Sequence, residues 1–222
     1  MSIIDKIILY ISEFLALMVV LPFHEFAHAF VAYKCGDPTA KLNGRMTLNP
    51  FAHFDIAGLV CFVLAGFGWA KPVPIQPLNF RKYKRDSFFV AGAGVAMNYI
   101  LAFLVYPLFI LSLRIPSFGY YTYVLQLSLS LIVLFSLCFF VFNLIPIFPL
   151  DGFMMIYAYS KKRSGLYRFL RFYGIYVLYF LFFLSILADV TGFFYLDILG
   201  IAINFIVGYI EIPITAFWGL II

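Results

Sequence analysis

IILYISEFLALMVVLPFHEFAHAFVAY, residues 7–33, is apolar almost throughout, interrupted only by Ser12, Glu13, Pro22 and the group His24, Glu25 and His28. A helix needs about 20 mainly apolar residues to cross the hydrocarbon core of a bilayer, so this stretch reads as a transmembrane helix. Two histidines and a glutamate inside such a helix are costly unless they have partners or a task. Ala27-His28-Ala29 matches a small-x-small signal-peptide cleavage pattern, but the preceding n-region is nearly uncharged and polar residues break the apolar region just before it. Retention of the segment is expected.

Working outward, comparable runs cover Phe88 to Leu113, Tyr120 to Phe142, Phe172 to Leu187 and Phe193 to Ile222. Of the 222 residues, 65% are apolar, 21% aromatic and 11% charged, and the mean hydropathy is +1.04. Soluble domains carry about 25% charged residues. A chain this apolar has too few polar side chains to cover a water-facing surface, which excludes a soluble enzyme or secreted module. The expected fold is an all-α polytopic membrane protein of five to six transmembrane helices, a single domain over residues 1–222. Its net charge of +5 reads as a topology signal rather than a nucleic-acid footprint. Cys35, Cys61 and Cys138 are odd in number and lack metal or redox spacing, so inert thiols are expected.

Ile56 to Ala70 is too short to assign by length, and the distribution of basic residues decides it. Lys34, Lys41 and Arg45 precede it. Lys71, Arg81, Lys82, Lys84 and Arg85 follow, and Lys161, Lys162, Arg163, Arg168 and Arg171 form a third cluster. If the segment is re-entrant, thirteen of the fifteen basic residues share one side, leaving Lys6 and Arg114 opposite. A full crossing destroys that asymmetry. Cytoplasmic loops collect Lys and Arg, so the reading is a re-entrant segment, the N-terminus outside and the C-terminus inside, with a six-span arrangement as the alternative. Lys161-Lys162-Arg163 is assigned to topology and anionic lipid. Between the first span and this segment, Thr39 to Leu48 contains Asn43-Gly44, a strong hairpin signal. A short cytoplasmic-side β-hairpin is expected there. Lys71 to Pro77, rich in proline, can form only an edge strand or an extended loop.

His24-Glu25-Phe26-Ala27-His28 is an H-E-x-x-H motif on a predicted helix. Residues four apart lie one turn above each other, so both imidazoles reach one Zn²⁺ while Glu25 stays beside its open position. With three His and three Glu in the chain, chance occurrence is on the order of one in two thousand. Two histidines do not complete a site, and the candidate for the third ligand is Asp151 in Asn143-Leu144-Ile145-Pro146-Ile147-Phe148-Pro149-Leu150-Asp151-Gly152. Pro146 and Pro149 interrupt the helix, which lets the chain aim a carboxylate back at the first span. Gly152 permits close backbone approach or an unusual dihedral. Taken alone, this stretch also fits an ordinary loop cap. Glu25 lies nine residues before Lys34, roughly 13 Å deep at 1.5 Å per residue. Asp151 ends a span on the same side, so the site is expected toward the cytoplasm.

These motifs give the chain a resemblance to the site-2 protease family of intramembrane zinc metalloproteases, in its short branch without PDZ or CBS domains. The resemblance rests on HEFAHA at 24–29, GDPTAKLNGRMTLNPFAHFD at 36–55, FGWAKPVPIQPLNFR at 67–81, GVAMN at 94–98 and NLIPIFPLDG at 143–152. It implies His24, His28 and Asp151 as zinc ligands, Glu25 as general acid/base, and supporting roles for Asn143 and Asn98. The chain departs from the family pattern at Phe153, often glycine, and Val95, often proline; neither position is a ligand. By this resemblance Asn143 donates to the oxyanion or holds the substrate backbone, and a helix C-terminal cap is its plainer role.

Other polar residues have simpler readings. Gly92 and Gly94 serve close helix packing, with Asn98 beside them. His53 is out of helical register with the motif and reads as a hydrogen-bonding loop residue. Glu13 lines a water path or pairs with a buried group, and the sequence does not choose. The expected activity is an intramembrane zinc metalloendopeptidase acting on a transmembrane protein substrate in the lipid bilayer of a prokaryotic cytoplasmic membrane, without nucleic acid. Two alternatives are a non-proteolytic metal-binding membrane protein, either transporter or pseudoprotease, and a zinc peptidase for lipid-modified protein ends. Retention of Glu25 argues against the pseudoprotease. The clustering of polar candidates on one side argues against the transporter.

Overall fold

A computed structural model describes residues 2–58, 61, 70–157, 159 and 164–222. Helix α1 (Ile3–Cys35) opens on a capping box in which Ser2 and Asp5 bond each other's backbone, and it ends at Gly36, whose φ of 111° gives the left-handed cap. Helices α3 (Tyr83–Ser112) and α4 (Tyr120–Leu144) pack with α1 as the central bundle. Its core joins Ala16 and Val20 of α1, Leu101, Ala102 and Val105 of α3, and Ile132, Val133, Leu137 and Val141 of α4. Small and β-branched residues at these positions let the helix backbones approach, and van der Waals packing is what holds helices together in lipid. Short helices α2 (Thr39–Leu42), α5 (Asp151–Tyr157) and α6 (Gly165–Phe172) lie at one end. Helix α7 (Gly174–Thr191) and the pair α8 (Ile198–Ile210) and α9 (Ile212–Gly219) flank the bundle.

Five helical stretches are long and apolar enough to cross a membrane: Ile3–Cys35, Tyr83–Ser112, Tyr120–Leu144, Gly174–Thr191 and Ile198–Gly219. By length and composition these match the five spans read from the sequence, although the last is two helices joined at Glu211. The re-entrant segment expected over Ile56 to Ala70 falls largely on residues 59–60 and 62–69, outside the described residues.

The β-hairpin expected at Thr39 to Leu48 is not present, and among the described residues there is no β-strand, only an isolated bridge between Phe54 and Ala70. Thr39–Leu42 forms a helical turn instead. Asp37 caps it, accepting from the Thr39 N–H at 3.1 Å. The Asn43 side chain donates back to the Thr39 carbonyl at 2.8 Å, and Gly44 follows at φ 65°. Asn-Gly supplies the left-handed conformation required by both tight hairpins and helix C-caps. Here the capped turn before it selects the second use.

The C-terminal region also differs from expectation. Helices α8 and α9 meet at Glu211, just before Pro213. Tyr99 Oη donates to the Ile210 carbonyl at 3.4 Å, Trp218 Nε1 to the Phe103 carbonyl at 2.9 Å, and Arg114 Nη2 to the Ile222 carbonyl at 2.7 Å. Partners ascending α3 in this order show that α9 runs alongside α3 toward its Ser112 end. Ile222 therefore lies beside Arg114, not at the Tyr83 end where the charge pattern put it.

Candidate metal centre

Two turns of α1 carry the motif, and all three of its polar residues are buried. His24 Nε2 and His28 Nε2 are 3.0 Å apart, and Asp151 Oδ2 is 3.4 Å from the first and 3.2 Å from the second. Pro146 and Pro149 stop helical structure after Leu144, and the chain reverses over 145–150 so that Asp151 begins α5 facing α1. Gly152 makes that reversal possible, because a Cβ there would stand 2.9 Å from the Ile145 carbonyl oxygen and overlap the Leu144 carbonyl. Close approach, rather than an unusual dihedral, is the use made of this glycine.

Second contacts orient the ligands. His28 Nδ1 is 2.7 Å from the Val90 carbonyl, so Nδ1 carries the proton and the Nε2 lone pair faces Asp151. Asn98 lies 3.1 Å from His24 Nδ1 through its amide nitrogen, while its own Oδ1 is buried without a partner. Turning the amide over lets Oδ1 accept from Nδ1–H and frees Nε2 of His24 for an ion. Asp151 Oδ2 is a further buried oxygen without a hydrogen-bond partner.

This arrangement fits zinc. Two imidazole nitrogens and a carboxylate oxygen are a donor set zinc accepts, and ligands about 2.1 Å from a tetrahedral ion stand about 3.4 Å apart. His24, His28 and Asp151 form the metal-ligand group found among the described residues. His53 is outside it; its Nε2 bonds the Thr47 carbonyl at 2.8 Å, as a loop residue does.

The group opens on a cavity of about 600 Å³ shared by α1, α3, α5, α6 and residues 72–77. Glu25 and Asn143 both line it. Glu25 accepts the Val73 N–H at 2.9 Å. The Asn143 amide donates to the Phe139 carbonyl at 3.1 Å within its own helix, which is not a C-terminal cap, and the residue borders the cavity. Residues 71–76 form an irregular strap, the extended-loop alternative of the sequence reading. Arg45 Nη2 donates to the Lys71 carbonyl at 2.6 Å and Lys71 N–H to the His53 carbonyl at 2.8 Å. Gln76 N–H and the Asn79 amide donate to Asp37 at 2.7 and 2.9 Å. Burial works to raise the Asp37 carboxyl, but donors from Thr39, Asn79 and Gln76 outweigh it and hold the group below the usual carboxylate range.

Sequence reasoning missed three contributors. Gly94 was assigned to helix packing, yet a Cβ there would stand 2.6 Å from His24 Cε1 and 2.7 Å from His28 Cε1, and closer still to His28 Nε2. The glycine makes room for the two imidazoles. Asp37 was read only as part of a motif, and Arg171 only as a topology charge. The G-x-x-x-N spacing of Gly94 and Asn98, one turn apart on α3, was the available signal for the first.

The fold and the site together define a helical, membrane-spanning type of chain with a two-histidine, one-carboxylate group set beside a glutamate. Its sequence is 40% identical over 144 residues to a Bacillus subtilis (strain 168) protein named putative zinc metalloprotease YwhC, a match covering 64% of this chain and 66% of that protein. The match thus spans just under two thirds of the relative's length. No family model matches the chain, and no solved structure does.

Proposed function

We propose that this protein is an intramembrane zinc metalloendopeptidase of the site-2 protease type, hydrolysing peptide bonds within or near transmembrane segments of other membrane proteins. The observation that carries the reading is the convergence of His24, His28 and Asp151 within 4.8 Å of one another beside Glu25, on helices apolar enough to lie in a bilayer. Similarity to a zinc metalloprotease supports it. A prokaryotic cytoplasmic membrane, with the site toward the cytoplasm, is the proposed setting.

His24, His28 and Asp151 would hold the ion. When bound, zinc lowers the pKa of water toward about 7 and polarises a carbonyl. Glu25 takes the proton of the attacking water and delivers it to the leaving amine nitrogen. Glu25 is buried and lines the cavity together with Val73 and Phe153. A transmembrane substrate hides its peptide bonds in helical hydrogen bonds and must unwind before attack. Residues 72–77 border the cavity and offer backbone to an unwound segment. Asn143, which borders the cavity, would hold the substrate backbone.

The test measures zinc content and cleavage of a panel of model transmembrane substrates by detergent-purified wild type and Glu25→Gln. Zinc in both with cleavage by the wild type alone is the expected result. Near-normal turnover by Glu25→Gln removes Glu25 from the mechanism, and absence of zinc from both overturns the site.

A further inference from the structure

Among the described residues, one lysine or arginine borders the cavity. Arg171 lines it together with His24, Glu25, His28 and Asp151, and it does so from α6, a short helix whose N-terminus is capped by Ser164. Tyr167, one turn earlier on α6, is buried and stacks on Phe153 of α5 with ring centroids 5.7 Å apart. The Tyr167 hydroxyl accepts from Arg171 Nη1 at 3.3 Å. Arg171 Cζ lies 5.6 Å from the Tyr157 ring centroid and 5.7 Å from that of Phe172. The guanidinium is thus held on an aromatic platform.

No carboxylate answers it. Among the described residues the ion pair made by a lysine or arginine is that of Arg85 with Asp86. Arginine presents five N–H donors in a planar fork that matches a carboxylate and keeps its charge at any working pH. Arg171 is exposed at the cavity edge, so its guanidinium is open to an incoming group.

We propose that Arg171 forms a carboxylate-binding subsite of this cavity, selecting substrates that present an acidic side chain or a free chain carboxylate near the scissile bond. The proposal rests on the peptidase reading for its consequence, though not for the binding itself. Neighbouring apolar residues of the cavity, Phe148, Pro149, Val73 and Ile75, suit an extended peptide carrying a single carboxylate better than a heavily hydrated dianion. Tyr167 and Tyr157 engage part of the five-donor fork, and its remaining donors are open to such a group.

The test uses full-length protein in nanodiscs and paired transmembrane peptides that carry Asp or Asn at each position flanking the scissile bond. A further pair ends in a free carboxylate or an amide. Binding is read on Glu25→Gln with and without Arg171→Gln, and cleavage on wild type, Arg171→Gln and Arg171→Glu. At one position the acidic peptide is expected to be favoured about tenfold. That ratio falls to about one in Arg171→Gln, and Arg171→Glu favours Lys at the same position. Which pair responds separates a side-chain acid from a chain terminus.

Equal treatment of all pairs overturns the proposal, as does a preference that survives Arg171→Gln. A uniform loss across substrates together with lost zinc assigns Arg171 to charge balance against Glu25 and Asp151 instead. Equal treatment of the peptide pairs together with Arg171-dependent retention of phosphatidylglycerol over phosphatidylcholine assigns it to an anionic lipid headgroup instead. If the Arg171-dependent preference is seen in binding while wild type cleaves nothing, the subsite stands and the peptidase reading falls.

Discussion

Asp151 supplies a ligand from a stretch 123 positions after His28, and its Oδ2 is buried with no hydrogen-bond partner. Asp151→Ala is therefore expected to lower bound zinc at least tenfold in affinity, since two histidines alone remain; metal content equal to wild type would eliminate it as a ligand. Gly94 makes a sharper test of the packing. Gly94→Ala forces a methyl against both imidazoles, an overpacking that costs about 1–3 kcal/mol, and reduced zinc occupancy and activity are expected. Gly92→Ala, whose Cβ would meet only the flexible Met155 end at 3.4 Å, should retain both, and equal losses in the two variants would refute the account. At this scale the motif itself was legible because i,i+4 spacing on a helix is a local property. The room made by Gly94 was not, because the groups it accommodates belong to another helix.

Among the elements, the strap at 71–76 was limited by its prolines to an edge strand or an extended loop; it is the loop, and its role follows from contacts with Arg45, His53, Asp37 and Glu25. Asp37 ties the α1–α2 turn to its far end. A carboxyl held low in the folded state stabilises it above the unfolded value of about 3.9, and that contribution is lost as pH falls through the depressed folded value. Wild type should accordingly be more heat-stable than Asp37→Asn at neutral pH, with the gap narrowing below about pH 4. A gap independent of pH would detach Asp37's charge from the strap. The misread hairpin belongs here as well: Asn43-Gly44 signals a left-handed residue, and whether a helix or a strand precedes it is settled by the Asp37 cap, itself held by Gln76 and Asn79.

For the whole molecule, five apolar helices were legible because span length is a property of consecutive residues. The side on which residue 222 emerges was not. Arg114 at the far end of α3 binds the Ile222 carbonyl, whereas the ligand group lies beside Val90 near the opposite end. Topology reporters placed after Ile222 and within the 113–119 connection should report the same side, and one at residue 82 the other. Agreement of the Ile222 reporter with residue 82 would restore the charge-based arrangement. The basic-residue rule says nothing of the last segment, because 198–222 contains no Lys or Arg to orient it.

The sequence by itself determined a helical membrane chain, an H-E-x-x-H pair one turn apart and an acidic residue after a proline-broken span. Each depends on neighbours along the chain, where backbone geometry and transfer to lipid act residue by residue. Only the tertiary structure decided that Asp151 faces the imidazoles, that Gly94 clears space for them, that Val73 caps Glu25 and that Arg171 borders the cavity. Those relations join residues tens of positions apart, and they exist only once packed helices fix the distance between side chains.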